Sequence, residues 1–161
     1  MIASSLPGKG RQNMVRRQVM TGVALAGILL WAMPAARAGT TLTVVERATT
    51  NLTPVRGGKA TDNVGDILTF ANPVYDAANK QKVGADQGFC VREVLGKSYE
   101  CHWILMLAQG QITVDGPFLD DGDSTLAITG GTGLYSGARG EMLLHARDAK
   151  GTSYDFVYRM K

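Results

Sequence analysis

From residue 40 onward the chain is a succession of short apolar or β-branched runs, each closed by glycine, aspartate or asparagine after about five to ten residues. Thr40 to Thr49 alternates in this way, and Ile67 to Ala71 follows Gly65-Asp66. Gly88 to Arg92 and Tyr99 to Ala108 flank a turn at Gly96-Lys97. Gln111 to Asp115, Ser124 to Thr129, Glu141 to Arg147 and Ser153 to Met160 complete the series. No segment sustains a helical period between caps. This spacing predicts an all-β domain, either a sandwich or a barrel. Eight antiparallel strands joined by tight turns can close on themselves, which removes every exposed edge. We therefore expect an eight-stranded antiparallel β-barrel, lipocalin-like in shape, just wide enough for packed side chains or one small ligand. Residues 50–64 are the longest loop.

Residues 1–38 have a different character. Lys9, Arg11, Arg16, Arg17 and Arg37 lie there, and no acidic residue precedes Glu46. An apolar run from Val19 to Met33 follows the cationic part, and Ala36-Arg37-Ala38 offers an Ala-x-Ala cleavage pattern. The run is shorter than the ~20 residues that span a bilayer. We read residues 1–38 as a cleavable export signal, with Arg16-Arg17 pointing to the twin-arginine route beside the general secretory one. Residues 39–161 form a single domain, periplasmic or secreted, with no stable membrane insertion after cleavage. Of 17 basic residues that domain keeps 12, against 14 acidic ones, so the overall charge of +3 becomes −2. The excess of positive charge belongs to the leader, and the domain carries no electrostatic footprint for nucleic acid.

Ile128-Thr129-Gly130-Gly131-Thr132-Gly133 imitates a dinucleotide-binding glycine loop. Such a loop needs a helix and a parallel sheet after it, and the remaining residues read as two strands. Glycines that let the chain turn sharply between strands are the simpler reading, and no cofactor is expected. Cys101-His102 lacks a second spaced pair of ligands, and Asp120-Asp121-Gly122-Asp123 lacks the alternation of a calcium loop, so no metal is expected either. Asn72-Pro73 reads on its own as the start of a turn. Glu46, between Val45 and Arg47, is by itself either a solvated strand residue or a buried functional one.

Several blocks then line up together. Gly65-Asp66-Ile67-Leu68-Thr69-Phe70-Ala71-Asn72, Val83-Gly84, Gly88-Phe89-Cys90, Gly116-Pro117-Phe118-Leu119 and the stretch from Leu126 to Gly140 resemble the allene oxide cyclase family. The glycine-rich stretch also resembles the related dirigent proteins. The resemblance covers roughly residues 41–160. It implies an eight-stranded barrel with an apolar interior, assembled as a homotrimer, that needs no metal or redox cofactor. The cyclases steer an unstable fatty-acid epoxide to one ring-closed isomer, and dirigent proteins orient reactive radicals. The physics common to both is confinement, helped by a few polar groups that stabilise developing charge.

Carried over residue by residue, the resemblance makes Glu46 the first-strand glutamate that assists epoxide opening. It makes Asn72 an asparagine that holds a water on the epoxide oxygen, and Cys90 a cysteine lining the pocket. Thr53-Pro54 stands near the Ser-Pro that touches the same water. A second water-holding asparagine is Ala48 here, and the tyrosine after Gly-Pro is Phe118, so allene oxide itself is not the expected substrate. Phe118 still offers a ring face to positive charge. With Trp103, in an apolar strand, Thr53, Pro54 and Phe118 form the expected ligand contacts, and Glu46, Asn72 and Cys90 the expected catalytic set. The expected partner is a small hydrophobic oxygenated molecule, either cyclised or isomerised by confinement or simply sequestered by a non-catalytic barrel.

The two cysteines admit two readings. A hairpin turning about Leu95-Gly96 sets Glu93 opposite Ser98 and Cys90 opposite Cys101. Directly opposed residues at a non-hydrogen-bonded position have Cα atoms about 4.5 Å apart, near the lower limit for a disulfide. Export and register favour that bridge. The family pattern instead makes Cys90 a free thiol.

Overall fold

Alternation along eight strands closes the sheet on itself. The computed structural model describes residues 39–50 and 62–161. The strands are β1 (Thr40–Arg47), β2 (Ile67–Asp76), β3 (Lys82–Val94), β4 (Ser98–Leu107), β5 (Gly110–Leu119), β6 (Ser124–Gly131), β7 (Gly140–Ala146) and β8 (Ser153–Met160). Each pairs antiparallel with the next. β1 closes the barrel against β8, from Thr40 opposite Met160 to Arg47 opposite Ser153. Among the described residues the only helical segment is a single 3-10 turn, Gly133–Tyr135. The leader expected at residues 1–38 lies outside the described residues, as do Thr53 and Pro54.

The inward set follows the two-residue period of a strand. Val44, Leu68, Val74, Trp103, Leu105, Ile112, Val114, Leu126, Met142, Leu144, Phe156 and Tyr158 are all buried in one continuous core. Two glycines make room for it. At Gly88 a Cβ would lie 2.3 Å from both the His102 carbonyl oxygen and the Trp103 Cβ, so only glycine lets β3 pass the Trp103 position. Gly133, at φ +59°, would press a Cβ to 2.3 Å from the Gln109 carbonyl oxygen. The glycine block is thus a tight return of the chain at the end of β6.

Two local expectations change. β2 does not stop before Asn72-Pro73 but runs on to Asp76. Proline donates no ladder hydrogen bond, but it is accommodated here next to a bulge at Val74/Tyr75, where pairing is already interrupted. In the β3–β4 hairpin, Val94 rather than Glu93 opposes Ser98, because the strand bulges between Arg92 and Val94. Beyond the bulge the register places Arg92 opposite Tyr99 and Cys90 opposite Cys101.

Candidate functional site

A cavity of about 390 Å³ is lined by Glu46, Leu68, Phe70, Asn72, Cys90, Trp103, Phe118, Leu144, Tyr154 and Phe156, with Ala48, Thr50 and Lys150 to Thr152 around it. Its shape comes from rings in succession. Phe70 meets Trp103 edge-on at 5.8 Å, and Trp103 meets Phe156 at 5.6 Å. Phe156 lies beside Tyr154, and Tyr154 meets Phe118 edge-on. Leu105, Ile112, Met142 and Tyr158 are not part of this lining and are fully buried.

Glu46 is 5 % exposed and stands opposite Tyr154 on β8 and Val74 on β2. Its carboxylate accepts from the side-chain amide of Asn72. The other end of that amide fixes its orientation. Asn72 Oδ1 accepts from the Thr49 and Thr50 amides at 2.9 and 3.0 Å and from the Thr50 hydroxyl at 2.9 Å. Only an oxygen can accept from two backbone N–H groups, so the NH₂ must point at Glu46. Asn72 therefore ties the end of β1 to β2 and aims Glu46. Burial pushes the Glu46 carboxyl up to about 7, against the lowering effect of the Asn72 hydrogen bond. A carboxyl in that range can gain or lose a proton at neutral pH.

One buried acid was not expected. Asp86 stands directly opposite Asn72 in the β2–β3 ladder and is 0 % exposed; the backbone amides of Asn72 and Asp86 lie near its carboxyl, but neither oxygen has a hydrogen bond of good geometry among the described residues. Burial pushes it up to about 9, and the charge of Glu46 pushes in the same direction. The Tyr158 hydroxyl lies close to Asp86, and the Trp103 indole lies beside that hydroxyl. Neither polar atom makes a hydrogen bond of good geometry. Asp86 was discoverable from the sequence. It has the same strand parity as Cys90, so a pocket-facing Cys90 implies an inward Asp86. The same parity joins Tyr154, Phe156 and Tyr158.

The structure brings Glu46, Asn72, Cys90, Trp103 and Phe118 to one cavity. The sulfurs of Cys90 and Cys101 are bonded, so Cys90 lines the cavity as half of a disulfide. A bridged sulfur supplies surface but no thiolate. Both histidines lie away from the cavity. His102 pairs with Asp115 and His145 with Asp123, all of them substantially exposed. Arg92, almost wholly buried, is held by Asp62 and Asp120 at 2.7 and 2.8 Å and lies over the Tyr99 ring.

Residues 41–148 match the family model described as allene oxide cyclase. Among solved structures, one described as pyocyanin demethylase has a TM-score of 0.61 at 23% identity, covering 74% of this chain and 100% of that one. A pterocarpan synthase dirigent protein has a TM-score of 0.61 at 16% identity, covering 78% and 97%. An exo-specific intermolecular Diels-Alderase has 0.59 at 14% identity, covering 76% and 98%. At these identities the structural likenesses establish the barrel fold.

Proposed function

The chain belongs to the allene oxide cyclase family, and from that premise we propose that it is an exported barrel whose cavity binds a small hydrophobic, oxygenated molecule and steers its cyclisation or isomerisation. The named structures of this fold differ in their chemistry, so the reading rests on the site and not on the barrel. The observation that carries it is Glu46. It is a nearly buried carboxyl at the wall of a ring-lined cavity, aimed by Asn72 and poised near neutral pH. A merely apolar carrier has no need of a desolvated acid, which costs stability unless it has work or a partner. Ring surfaces restrict the conformers a ligand can adopt, and Glu46 can take or give a proton where charge develops.

Export is supported by the cationic, apolar and Ala-x-Ala succession of residues 1–38, and the family pattern supports a homotrimer. Native mass spectrometry of protein purified from its own cells tests the reading. We expect a bound small molecule, released on denaturation and converted to one isomer by wild-type protein but not by Glu46→Gln. Conversion by Glu46→Gln at the wild-type rate and selectivity would contradict it.

A further inference from the structure

One carboxyl group lines the cavity and a second lies behind it, and no cation among the described residues forms an ion pair with either. Glu46 lines the cavity, and Asp86 lies behind it, opposite the residue that aims it. Of Glu46's two oxygens one takes the Asn72 amide, and Asp86 has only the Asn72 and Asp86 backbone amides near it, neither at good hydrogen-bond geometry. Phe70, Trp103, Phe118, Tyr154 and Phe156 line the same cavity as Glu46. Lys150 is the one basic residue among the described lining groups, and it is exposed on the β7–β8 loop. Arg47, next to Glu46, has its guanidinium on Asn79 and the Tyr75 ring.

A neutral apolar ligand would use the rings and leave both acids without a counter-charge. A ligand carrying positive charge would meet the rings and Glu46 directly and gain the field of Asp86 behind them. Ring faces attract a cation, and a carboxylate in a desolvated site attracts it far more strongly than one in water. We infer that the Glu46 wall of the cavity is a cation subsite, which takes a flat aromatic ligand bearing a delocalised positive charge or a protonated ring nitrogen against Glu46, with Asp86 behind it. The inference rests on the ligand-binding reading above and narrows the ligand's chemistry.

It has a pH signature. Burial holds Glu46 partly and Asp86 almost wholly protonated near neutrality, so the negative charge of the subsite arrives in two steps as pH rises. The groups facing them from neighbouring strands do not obscure this. Asn72 on β2 and Trp103 and Leu105 on β4 do not titrate, and Cys90 and Cys101 are bridged. Tyr154 and Tyr158 on β8 are pushed above the ordinary tyrosine range by burial.

The test is a titration of the purified protein with N-methylacridinium and with methylanthracene, its uncharged counterpart of the same shape, between about pH 6 and 10. The cation should bind more tightly than the neutral ring, by at least about tenfold above the first step, and its advantage should grow with pH. Glu46→Gln should bring the two affinities together. Asp86→Asn should keep the first rise and lose the second. The wild-type pH series stands alone if a variant fails to fold. Binding of methylanthracene with no preference for the cation at any pH would overturn this inference and leave the ligand-binding reading intact. Binding of neither probe would overturn both.

Discussion

The side-chain amide of Asn72 donates to the carboxylate of Glu46 from the neighbouring strand, while its oxygen is occupied by Thr49 and Thr50. One side chain thus sets both the end of β1 and the position of the cavity acid. Asn72→Ala should leave two backbone N–H groups without their acceptor and cost about 2–3 kcal/mol. It should also raise the Glu46 titration further, because the hydrogen bond that favours the charged form is gone. Carboxyl-resonance NMR with a denaturant melt checks both, and a Glu46 titration that moves down would contradict the assignment.

Asp86 gives the fold a pH dependence of definite sign. Its folded-state pKa, up at about 9, lies well above that of the unfolded chain, and Glu46, up at about 7, adds to the effect. The native state therefore holds more protons, and stability falls as pH rises through the range from about 4 to 9. Asp86→Asn should flatten that fall and raise the melting temperature at pH 9 by several degrees. Thermal melts at pH 5, 7 and 9 measure it, and a variant that melts lower than wild type at pH 9 would count against a strained buried acid.

The Cys90–Cys101 bridge closes a loop of sequence separation 11 between β3 and β4. A loop of that size is worth roughly 3 kcal/mol in the chain-entropy model. Reduction should lower the melting temperature by about 10 °C. It should leave the ring-lined cavity in place, since both cysteines remain buried apolar groups. Calorimetry with and without reductant reads the first, and the N-methylacridinium titration reads the second.

Gly88 is the contact on which the placement of Trp103 depends. Gly88→Val puts a side chain where a Cβ alone already lies 2.3 Å from the opposite backbone oxygen. We expect a loss of about 2–4 kcal/mol and a displaced indole, seen as a shift in tryptophan emission. Wild-type stability and emission would show that the barrel does not need glycine there.

Much of this was legible in the residues. The strand count and the closure followed from alternation and turn spacing, because the two-residue period has to agree with burial on every strand. The β3–β4 register followed from a turn near Gly96, although the bulge at Glu93 could not be read from composition. Glu46 and Asn72 were legible only through the family blocks. Taken alone, Glu46 next to Arg47 looks solvated, and Asn72-Pro73 looks like a turn. Their pairing depends on β1 meeting β2 and on Thr49 and Thr50 curling onto the Asn72 oxygen, a contact over 22 and 23 residues that no local pattern encodes. Asp86 went unnoticed because a lone aspartate between Ala85 and Gln87 looks like surface. Only its parity with Cys90 points it inward.

The central claim is that the ring-lined cavity beside Glu46 is a ligand site, and a titration with an uncharged apolar fluorophore tests it most directly. Wild-type protein should bind the probe saturably, one per chain, with blue-shifted emission. Asn72→Trp, whose indole would occupy the space beside Glu46, should lose that binding while keeping the β-sheet signal in circular dichroism. A wild-type barrel that binds no apolar probe, or an Asn72→Trp protein that binds it as tightly as wild type, would contradict the account.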